Sequence, residues 1–201
     1  MFVLSALRRV FLRSIMAAML LGTIAACSEP APTFKGNDIS GTQLGKALAL
    51  NDHNGQARTL QDFAGKVVVA FFGFTQCPDV CPTSLAELSQ VMQKLGPDAD
   101  RVQVLLISVD PERDTPDILK QYVTTFDPRF LGLTGTAEQV KKTAASFKAY
   151  YAKVPTDGGN NYTMDHTAAF YLFDGKGESR VLANNTIGVD ALVQDIKALL
   201  D

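Results

Sequence analysis

Tryptophan, histidine and cysteine are scarce in this sequence of 201 residues: it has no tryptophan, two histidines and three cysteines. A metal site built from imidazole or thiolate ligands can therefore draw on very few residues. Internal repeats are also absent, which excludes solenoid and array architectures. With 46% hydrophobic and 20% charged residues, the composition is that of one globular domain with its own core.

The apolar run near the N-terminus, from Ile15 to Ala26, is too short to span a bilayer comfortably. Three arginines and no acidic residue precede it, which predicts that residues 1–26 are a lipoprotein signal peptide. The run ends in IAAC, which resembles a bacterial lipobox and predicts cleavage before Cys27 and lipidation of its thiol. An uncleaved membrane anchor is the alternative. Either attachment predicts a membrane-anchored domain that faces the bacterial periplasm.

Positive charge is not in excess either. Removal of residues 1–26, with their three arginines, leaves 16 basic and 21 acidic residues, a net charge of −5. This balance argues against nucleic acid or an anionic surface as a partner. With Cys27 assigned to the lipid, Cys77 and Cys81 remain as the only pair. In an oxidising compartment they will tend to form a disulfide unless a reductant or a metal prevents it.

After the leader, the chain divides into a tether and one domain. Residues 27–45 are rich in proline, glycine and polar residues and lack periodicity, which predicts a flexible, lipid-anchored tether. From residue 46 onward, apolar runs typical of strands alternate with segments of helical periodicity. The predicted elements are a hairpin turning at Asn54-Gly55, a strand at 67–74, a helix at 83–96, a strand at 102–110, a helix from Pro116, a strand at 130–135, a helix at 136–154, a loop at 155–165, a β-hairpin turning at 175–177 and a final helix from Gly188.

This order of elements predicts a three-layer α/β domain over residues 46–201, with right-handed crossovers. A cysteine motif directly after an early central strand makes the pattern similar to the thioredoxin fold. The first predicted hairpin would then be an N-terminal β-hairpin extension of that fold. Fold alone does not settle function, so the cysteines have to be considered by themselves.

The stretch CPDVCP places Cys77 and Cys81 four residues apart, close enough on a helix for a disulfide. Pro78 and Pro82 each disfavour helical geometry at the cysteine before them, and Pro82 suits the first turn of a helix. We therefore predict Cys77 in the strand-to-helix loop and Cys81 at the helix N-terminus, where the helix dipole favours a thiolate. A structural disulfide, a redox-active pair and a metal site all remain open, although a bridge closing so few residues adds little stability.

Two redox families fit the cysteine pair poorly. A thioredoxin-like reductase usually carries CxxC with a preceding tryptophan, whereas this chain has CxxxC and no tryptophan. A peroxiredoxin-like peroxidase requires a threonine three residues before its reactive cysteine, and those positions here hold Phe74 and Pro78. The remaining active possibility, a soft-metal site, requires a further ligand.

Only the two histidines can supply an imidazole ligand. His53 lies in a polar turn and is predicted to be solvated. His166 follows the Gly/Asn-rich loop, at the start of a predicted strand, and emerges near the cysteines if that strand lies beside 67–74. Two thiolates and one imidazole favour copper, as Cu(I) or Cu(II), over hard cations, whereas zinc usually takes a fourth ligand. A ligand on a flexible loop suits release of the metal, and Asp165 is a candidate partner that would orient His166.

Three blocks of sequence together resemble the Sco/SenC family of copper-binding assembly proteins. They are VVVAFFGFTQCPDVCPTSLAEL, LLISVDPERDTPDILKQY and DHTAAFYLFDGKG, in the family's order. The resemblance implies a thioredoxin-like fold and copper bound by Cys77, Cys81 and His166. It also implies delivery of copper to the binuclear copper centre of cytochrome c oxidase, or reduction of that centre's cysteines. The implied partners are the copper-centre subunit and a thiol reductant or another copper chaperone.

The sequence leaves rival functions open. A thiol-disulfide oxidoreductase acting on the target's cysteines would use Cys77 and Cys81 as its redox-active pair but would not need His166. A copper or redox sensor that signals through binding alone is a third possibility. The stretch SVDPERDTP predicts a strand end followed by a helix cap at Asp114 or Thr115, and it is a candidate rim for partner contact.

Overall fold

The computed structural model describes residues 32–159 and 161–200, so the predicted signal peptide and Cys27 lie outside the described residues. The strands are β1 (Asn37–Asp38), β2 (Leu50–Asp52), β3 (Ala57–Arg58), β4 (Val67–Gly73), β5 (Val102–Ser108), β6 (Leu131–Thr134), β7 (Tyr151–Thr156), β8 (Asn161–His166), β9 (Ala169–Phe173) and β10 (Ser179–Asn184). The helices are α1 (Val80–Leu95), α2 (Pro116–Thr124), α3 (Ala137–Phe147) and α4 (Val189–Leu200). None of these four helices is long and apolar enough to cross a membrane.

Eight strands form one mixed sheet, in the order β1-β10-β9-β4-β5-β6-β2-β3. β4 runs parallel to β5, and β5 runs parallel to β6, because a helix connects each strand to the next. β9 pairs antiparallel with β4 on its other side. At the far edge, β2 and β3 form the predicted N-terminal hairpin, which turns at Gly55 with a φ of 80°. The structure therefore confirms the α/β class and places β9 directly beside β4.

The central strand β4 has all seven of its residues buried, so both of its faces are covered. Its alternate side chains pack into two separate apolar clusters, one shared with α1, α2 and α4 and the other shared with α3. The first row is Val67, Val69 and Phe71, and the second is Val68, Ala70 and Phe72. The domain thus has the three layers that the order of elements predicts.

The helix predicted over 136–154 is shorter in the structure. It ends at Phe147, and Lys148 adopts a left-handed conformation with a φ of 53°. Pro155 lies downstream, and a proline disfavours helix both at its own position and at the residue before it. Tyrosine and valine, which favour extended backbone, occupy the stretch between them. This stretch therefore forms strand β7.

The loop predicted at 155–165 is largely a strand. β8 pairs with β7 in a separate two-stranded sheet, in which His166 lies opposite Tyr151. Gly158 and Gly159, with φ of 67° and 98°, allow the chain to reverse between the two strands. The prediction of a flexible loop is therefore wrong, and His166 is carried by a hairpin.

Part of the segment assigned to the tether is packed on the domain. β1 pairs with the edge strand β10. The carboxylate of Asp195 in α4 accepts hydrogen bonds from the backbone amides of Lys35 and Gly36, at 2.6 and 2.9 Å. Leu44 is buried in the cluster that contains α3. Residues 32–45 belong to the same compact unit as the strands and helices that follow, so the folded part begins earlier than predicted.

Candidate metal centre

The chain leaves β4 at one edge of the sheet and forms the cysteine loop, residues 74–79, before α1 begins at Val80. Asp79 occupies the N-cap position of α1. Cys77 lies in the loop and is half-buried, whereas Cys81 lies in the first turn of α1 and is 0% exposed. Both cysteines therefore occupy the elements that the neighbouring prolines predict.

The third candidate ligand, His166, is the last residue of β8. Its ring nitrogen and the sulfur atoms of Cys77 and Cys81 all lie within 4.8 Å of one another. Cys81 Sγ and His166 Nε2 are 3.6 Å apart. Both thiols are free, so the pair is not a disulfide in this structure. The hairpin thus brings a histidine to a cysteine 85 positions earlier in the chain.

The imidazole of His166 is oriented by the backbone. Its Nδ1 lies 3.2 Å from the carbonyl oxygen of Thr167, which can only accept a hydrogen bond, so Nδ1 carries the proton and Nε2 presents its lone pair to the thiols. The ring also packs edge-to-face on Phe74, with centroids 6.0 Å apart. Burial lowers the pKa of His166, although the Thr167 carbonyl and the charge of Asp165 oppose that shift. The ring is therefore neutral at neutral pH, as a metal ligand must be.

The sequence names Asp165 as the candidate that would orient His166, but the orienting hydrogen bond goes to the carbonyl of Thr167 instead. The Asp165 side chain is exposed, and it acts on the ring through its charge. Asp165 and Asp79 both line an open cleft of about 240 Å³ that leads to Cys77. Their carboxylates give the cleft a negative rim, which attracts cations.

Cys81 packs against the backbone of β4. A Cβ atom placed on Gly73 would lie 2.8 Å from Cys81 Sγ, so a side chain at this position would displace the sulfur. Burial raises the pKa of the Cys81 thiol well above its ordinary value, against a hydrogen bond from the backbone of Phe74. The charges of Cys77 and Asp114 raise that pKa further.

The expectation that the helix start favours a thiolate at Cys81 is therefore wrong for the metal-free chain. The backbone amide of Cys81 points instead to Cys77 Sγ, at 3.4 Å. The sulfur that faces the positive end of α1 is thus that of Cys77. One thiol of the pair lies at the cleft, and the other lies in the core.

A buried carboxylate, which the sequence predicts only as a possible helix cap, supports the cysteine loop. Asp114 is 1% exposed and accepts hydrogen bonds from Oγ1 of Thr75 and Oγ of Ser108, both at 2.6 Å. It therefore ties the cysteine loop to the end of β5. Helix α2 is capped by Thr115, whose side chain accepts a hydrogen bond from the amide of Ile118. Of the two predicted caps, Thr115 is confirmed and Asp114 is wrong.

Arg113, in the same segment, contacts both halves of the site. Its Nη1 lies 3.0 Å from Oε1 of Gln76 in the cysteine loop and 3.0 Å from the carbonyl oxygen of Tyr162 in β8. Its guanidinium also forms an ion pair with Asp110. The stretch SVDPERDTP, which the sequence predicts as a rim for partner contact, therefore supports the site from within the domain.

The other histidine, His53, lies outside this group. It is 7% exposed, and its Nδ1 accepts a hydrogen bond from the backbone amide of Gly132 in β6, at 3.2 Å. The prediction of a solvated His53 is wrong, because β2 pairs with β6 and brings the turn onto the sheet. His53 joins the N-terminal hairpin to the sheet and has no place in the metal site.

A family model described as SCO1/SenC matches residues 37–201. The mitochondrial SCO2 homolog of Bos taurus is 46% identical over 132 residues, which cover 65% of this chain and 50% of that protein. The chain thus spans about half the length of that relative. Residues 37–201, which the family model matches, contain the cysteine loop, the Arg113 segment and the hairpin.

Solved structures of Sco proteins are also similar to this chain. ScoI from Bradyrhizobium japonicum, solved with copper bound, is 42% identical, with a TM-score of 0.70 and coverage of 82% of this chain and 99% of that chain. BsSco, described as having a disulfide switch and as a member of the Sco family of cytochrome c oxidase assembly proteins, is 26% identical. Its TM-score is 0.62, with coverage of 81% of this chain and 96% of that chain. These neighbours confirm the predicted thioredoxin-like fold, and together with the family model they show that this chain belongs to the SCO1/SenC family.

Proposed function

We propose that this chain is a copper metallochaperone that binds copper through Cys77, Cys81 and His166. The observation that carries the proposal is the position of the three ligand atoms, all within 4.8 Å of one another. Two sulfurs and one imidazole nitrogen form a soft donor set, which prefers Cu(I) to hard cations and can also hold Cu(II). Zinc usually takes a fourth ligand, and the described residues contribute three to this group. The copper-bound structure of ScoI supports the same choice of metal.

A copper ion held at this site would lie between the apolar core and the open cleft. Cys81 would hold the ion from the core, while Cys77 and His166 would hold it from the cleft. Both thiols bind as thiolates, so uptake of copper releases their protons. A three-ligand site leaves a coordination position open toward the cleft, where a ligand of the target can bind before the chaperone's ligands leave. Copper can then pass from one protein to the other without being released into solvent.

The target that we infer is the subunit of cytochrome c oxidase that carries the binuclear copper centre. This inference is supported by the family, because BsSco is described as a member of the cytochrome c oxidase assembly proteins. Another copper chaperone would supply the metal, and a thiol reductant would keep the cysteine pair reduced. We further propose that Cys27 is lipidated and holds the domain on the periplasmic face of the inner membrane, where such an oxidase resides.

We expect His166→Ala to weaken or abolish copper binding and to leave the fold intact. The ring is half-buried at the end of β8, so its removal takes away a ligand without emptying the core. The measurement uses the reduced chain from Ser28 onward and records copper stoichiometry and the sulfur-to-Cu(II) absorption band. The wild type should hold one copper ion with a thiolate band, and the variant should show a weaker band or none.

His53→Asn is the matched control for this change. It removes the other imidazole, and the asparagine Oδ1 can still accept the hydrogen bond from Gly132. We expect this control to bind copper as the wild type does. Copper binding that is indifferent to the loss of His166 would refute the three-ligand site.

A thiol-disulfide oxidoreductase is the second candidate, because a half-buried Cys77 lies beside a buried Cys81 with both thiols free. The Cys77 thiolate would attack a disulfide of the target and form a mixed disulfide, releasing one target thiolate. Cys81 would then pass its proton to the released target thiolate, attack Cys77 Sγ and release the second target sulfur as a thiolate. The target gains two electrons, the pair becomes a disulfide, and an external thiol reductant restores it. This activity would survive His166→Ala, whereas copper delivery would not.

A further inference from the structure

The strand that carries His166 turns one face toward the domain. Side chains alternate along a strand, so Tyr162, Met164 and His166 share a face of β8. Met164 is 7% exposed and belongs to the same apolar cluster as Cys81. Among the described residues, β8 pairs only with β7 and not with the main sheet. Side-chain contacts therefore hold the hairpin against the cysteine loop.

Arg113 makes several of these contacts with one guanidinium group. Its Nη1 lies 3.0 Å from the carbonyl oxygen of Tyr162 and 3.0 Å from Oε1 of Gln76 in the cysteine loop. Its Cζ lies 3.7 Å from the centre of the Tyr162 ring and 5.9 Å from the centre of the Phe74 ring. The Phe74 ring packs in turn on the imidazole of His166. One planar cation thus contacts the strand that carries the histidine and the loop that carries a cysteine.

The guanidinium is itself held in place by a buried carboxylate. Asp110 is 2% exposed, forms an ion pair with Arg113 and accepts a hydrogen bond from the hydroxyl of Tyr162 at 3.0 Å. A second ion pair, between Lys153 in β7 and Glu112, is exposed on both sides and contributes little because water screens it. The contacts among Asp110, Arg113 and Tyr162, here called the latch, therefore hold the hairpin more strongly.

We propose that Arg113 is a positioning residue: the latch fixes the imidazole of His166 relative to the two cysteine sulfurs and so controls how fast copper leaves. This inference rests on the proposed function. With the latch closed, a bound copper ion has three ligands. With the latch open, His166 moves away with the hairpin and copper remains on two thiolates. A target protein then competes with two ligands instead of three.

Lysine at position 113 would keep the charge of this residue but not its geometry. An ammonium group donates from a single point, whereas the planar guanidinium donates in several directions and lies over the Tyr162 ring. Arg113→Lys therefore opens the latch without removing a metal ligand or changing the net charge. Tyr162→Leu opens the same latch from the other side, since it removes the ring and the hydroxyl and leaves Arg113 in place.

The first arm of the experiment needs no metal. Amide hydrogen exchange is measured on the reduced, metal-free full chain of the wild type, Arg113→Lys and Tyr162→Leu. We expect exchange in β8 to accelerate by about tenfold in both variants, because Arg113→Lys loses the bonds of the guanidinium and Tyr162→Leu loses the ring and the bond from its hydroxyl to Asp110. Exchange in β4 should stay as it is in the wild type. Unchanged exchange in β8 would overturn the latch.

The second arm measures how fast a Cu(I) chelator removes copper from the loaded chain. We expect removal to be about 10–100-fold faster in Arg113→Lys, the range that is typical for partners of metal ligands. In a His166→Ala background, loaded with Cu(I) on the two thiolates that remain, the same change should have no further effect, because the latch acts through His166. An effect of Arg113→Lys that persists without His166 would overturn the proposal.

Arg129→Lys is the matched control. Arg129 forms an ion pair with Asp127 at 2.7 Å just before β6, at the opposite end of the parallel strands from the site. This change should alter neither exchange in β8 nor copper release. A wild-type chain that takes up no copper would refute the proposed function and with it the control of release. Normal copper uptake with unchanged exchange in β8 would refute the latch alone.

Discussion

Cys81→Ser is expected to abolish copper binding and to destabilise the domain, whereas Cys77→Ser is expected to abolish copper binding alone. A serine hydroxyl is a hard ligand that stays protonated, so it does not replace a soft thiolate. We expect either change to lower copper affinity by more than about 100-fold, since changes in residues beside the ligands already cost up to that much. Copper titration of the reduced variants measures this loss.

The two variants should differ in stability because the two sulfurs lie in different surroundings. Cys81 is 0% exposed in an apolar cluster, and a poorly paired hydroxyl buried there costs about 1–3 kcal/mol. A hydroxyl at the half-buried Cys77 stays within reach of water, so the free energy of unfolding should change by less than about 0.5 kcal/mol. Urea unfolding of the metal-free variants measures both. Equal destabilisation would contradict the placement of the sulfurs, and copper retained by Cys77→Ser would remove Cys77 from the ligand set.

Asp114→Asn is expected to destabilise the domain by about 1–3 kcal/mol and to weaken copper binding by about 10–100-fold. The carboxylate accepts hydrogen bonds from the hydroxyls of Thr75 and Ser108, whereas an asparagine offers one acceptor oxygen and one donor. One buried hydroxyl proton is then left unpaired, and the cysteine loop loses its tie to β5. Denaturant unfolding and copper titration measure the two effects. The exposed carboxylate of Asp117 provides the control, and Asp117→Asn should change neither quantity.

The stability difference between the wild type and Asp114→Asn should also depend on pH. Burial raises the pKa of Asp114 above its ordinary value of 3.8, against hydrogen bonds from Ser108 and Thr75. The folded chain therefore keeps this proton to a higher pH than the unfolded chain does. This difference in proton binding adds to the free energy of unfolding. Its contribution is fully present below pH 3.8 and is lost as the pH rises through the raised pKa of Asp114. The difference in free energy of unfolding between the wild type and Asp114→Asn should decrease as the pH rises from about 4 and should then level off. A difference that grows over that range would contradict the raised pKa.

The positions of the candidate ligands can be predicted because they depend on local rules and on strand order. Pro78 and Pro82 restrict the backbone of the cysteines before them, so the boundary between loop and helix is encoded within six residues. His166 requires one further step, the pairing of β9 with β4, which follows from the strand order of the thioredoxin fold that the sequence resembles. The placement of the cysteines depends on short-range constraints and that of His166 depends on strand order, and both can be inferred from a single sequence.

The residues that support the site could not be predicted, for a physical reason. Asp114 and Arg113 lie in a stretch that locally resembles a helix start, and only packing against Thr75 and Tyr162 shows that their side chains turn inward. The hairpin was missed for the same reason. Its strands are mostly half-buried or exposed and carry no strong apolar alternation, so contacts from distant segments stabilise them. Tertiary contacts of this kind leave no periodic signal in the sequence.

The contact between Cys81 and the backbone at Gly73 has a consequence for oxidative damage. A peroxide or an alkylating reagent can reach the half-buried Cys77 in the native state, whereas Cys81 is 0% exposed between Gly73 and His166 and is reached only after the structure around it opens. Chemical modification of the pair must therefore begin at the cleft, and the first lesion leaves the inner sulfur intact. The reactivity of Cys81 therefore follows the opening of the hairpin or of the core, so the rate at which this thiol is modified reports how often the site opens.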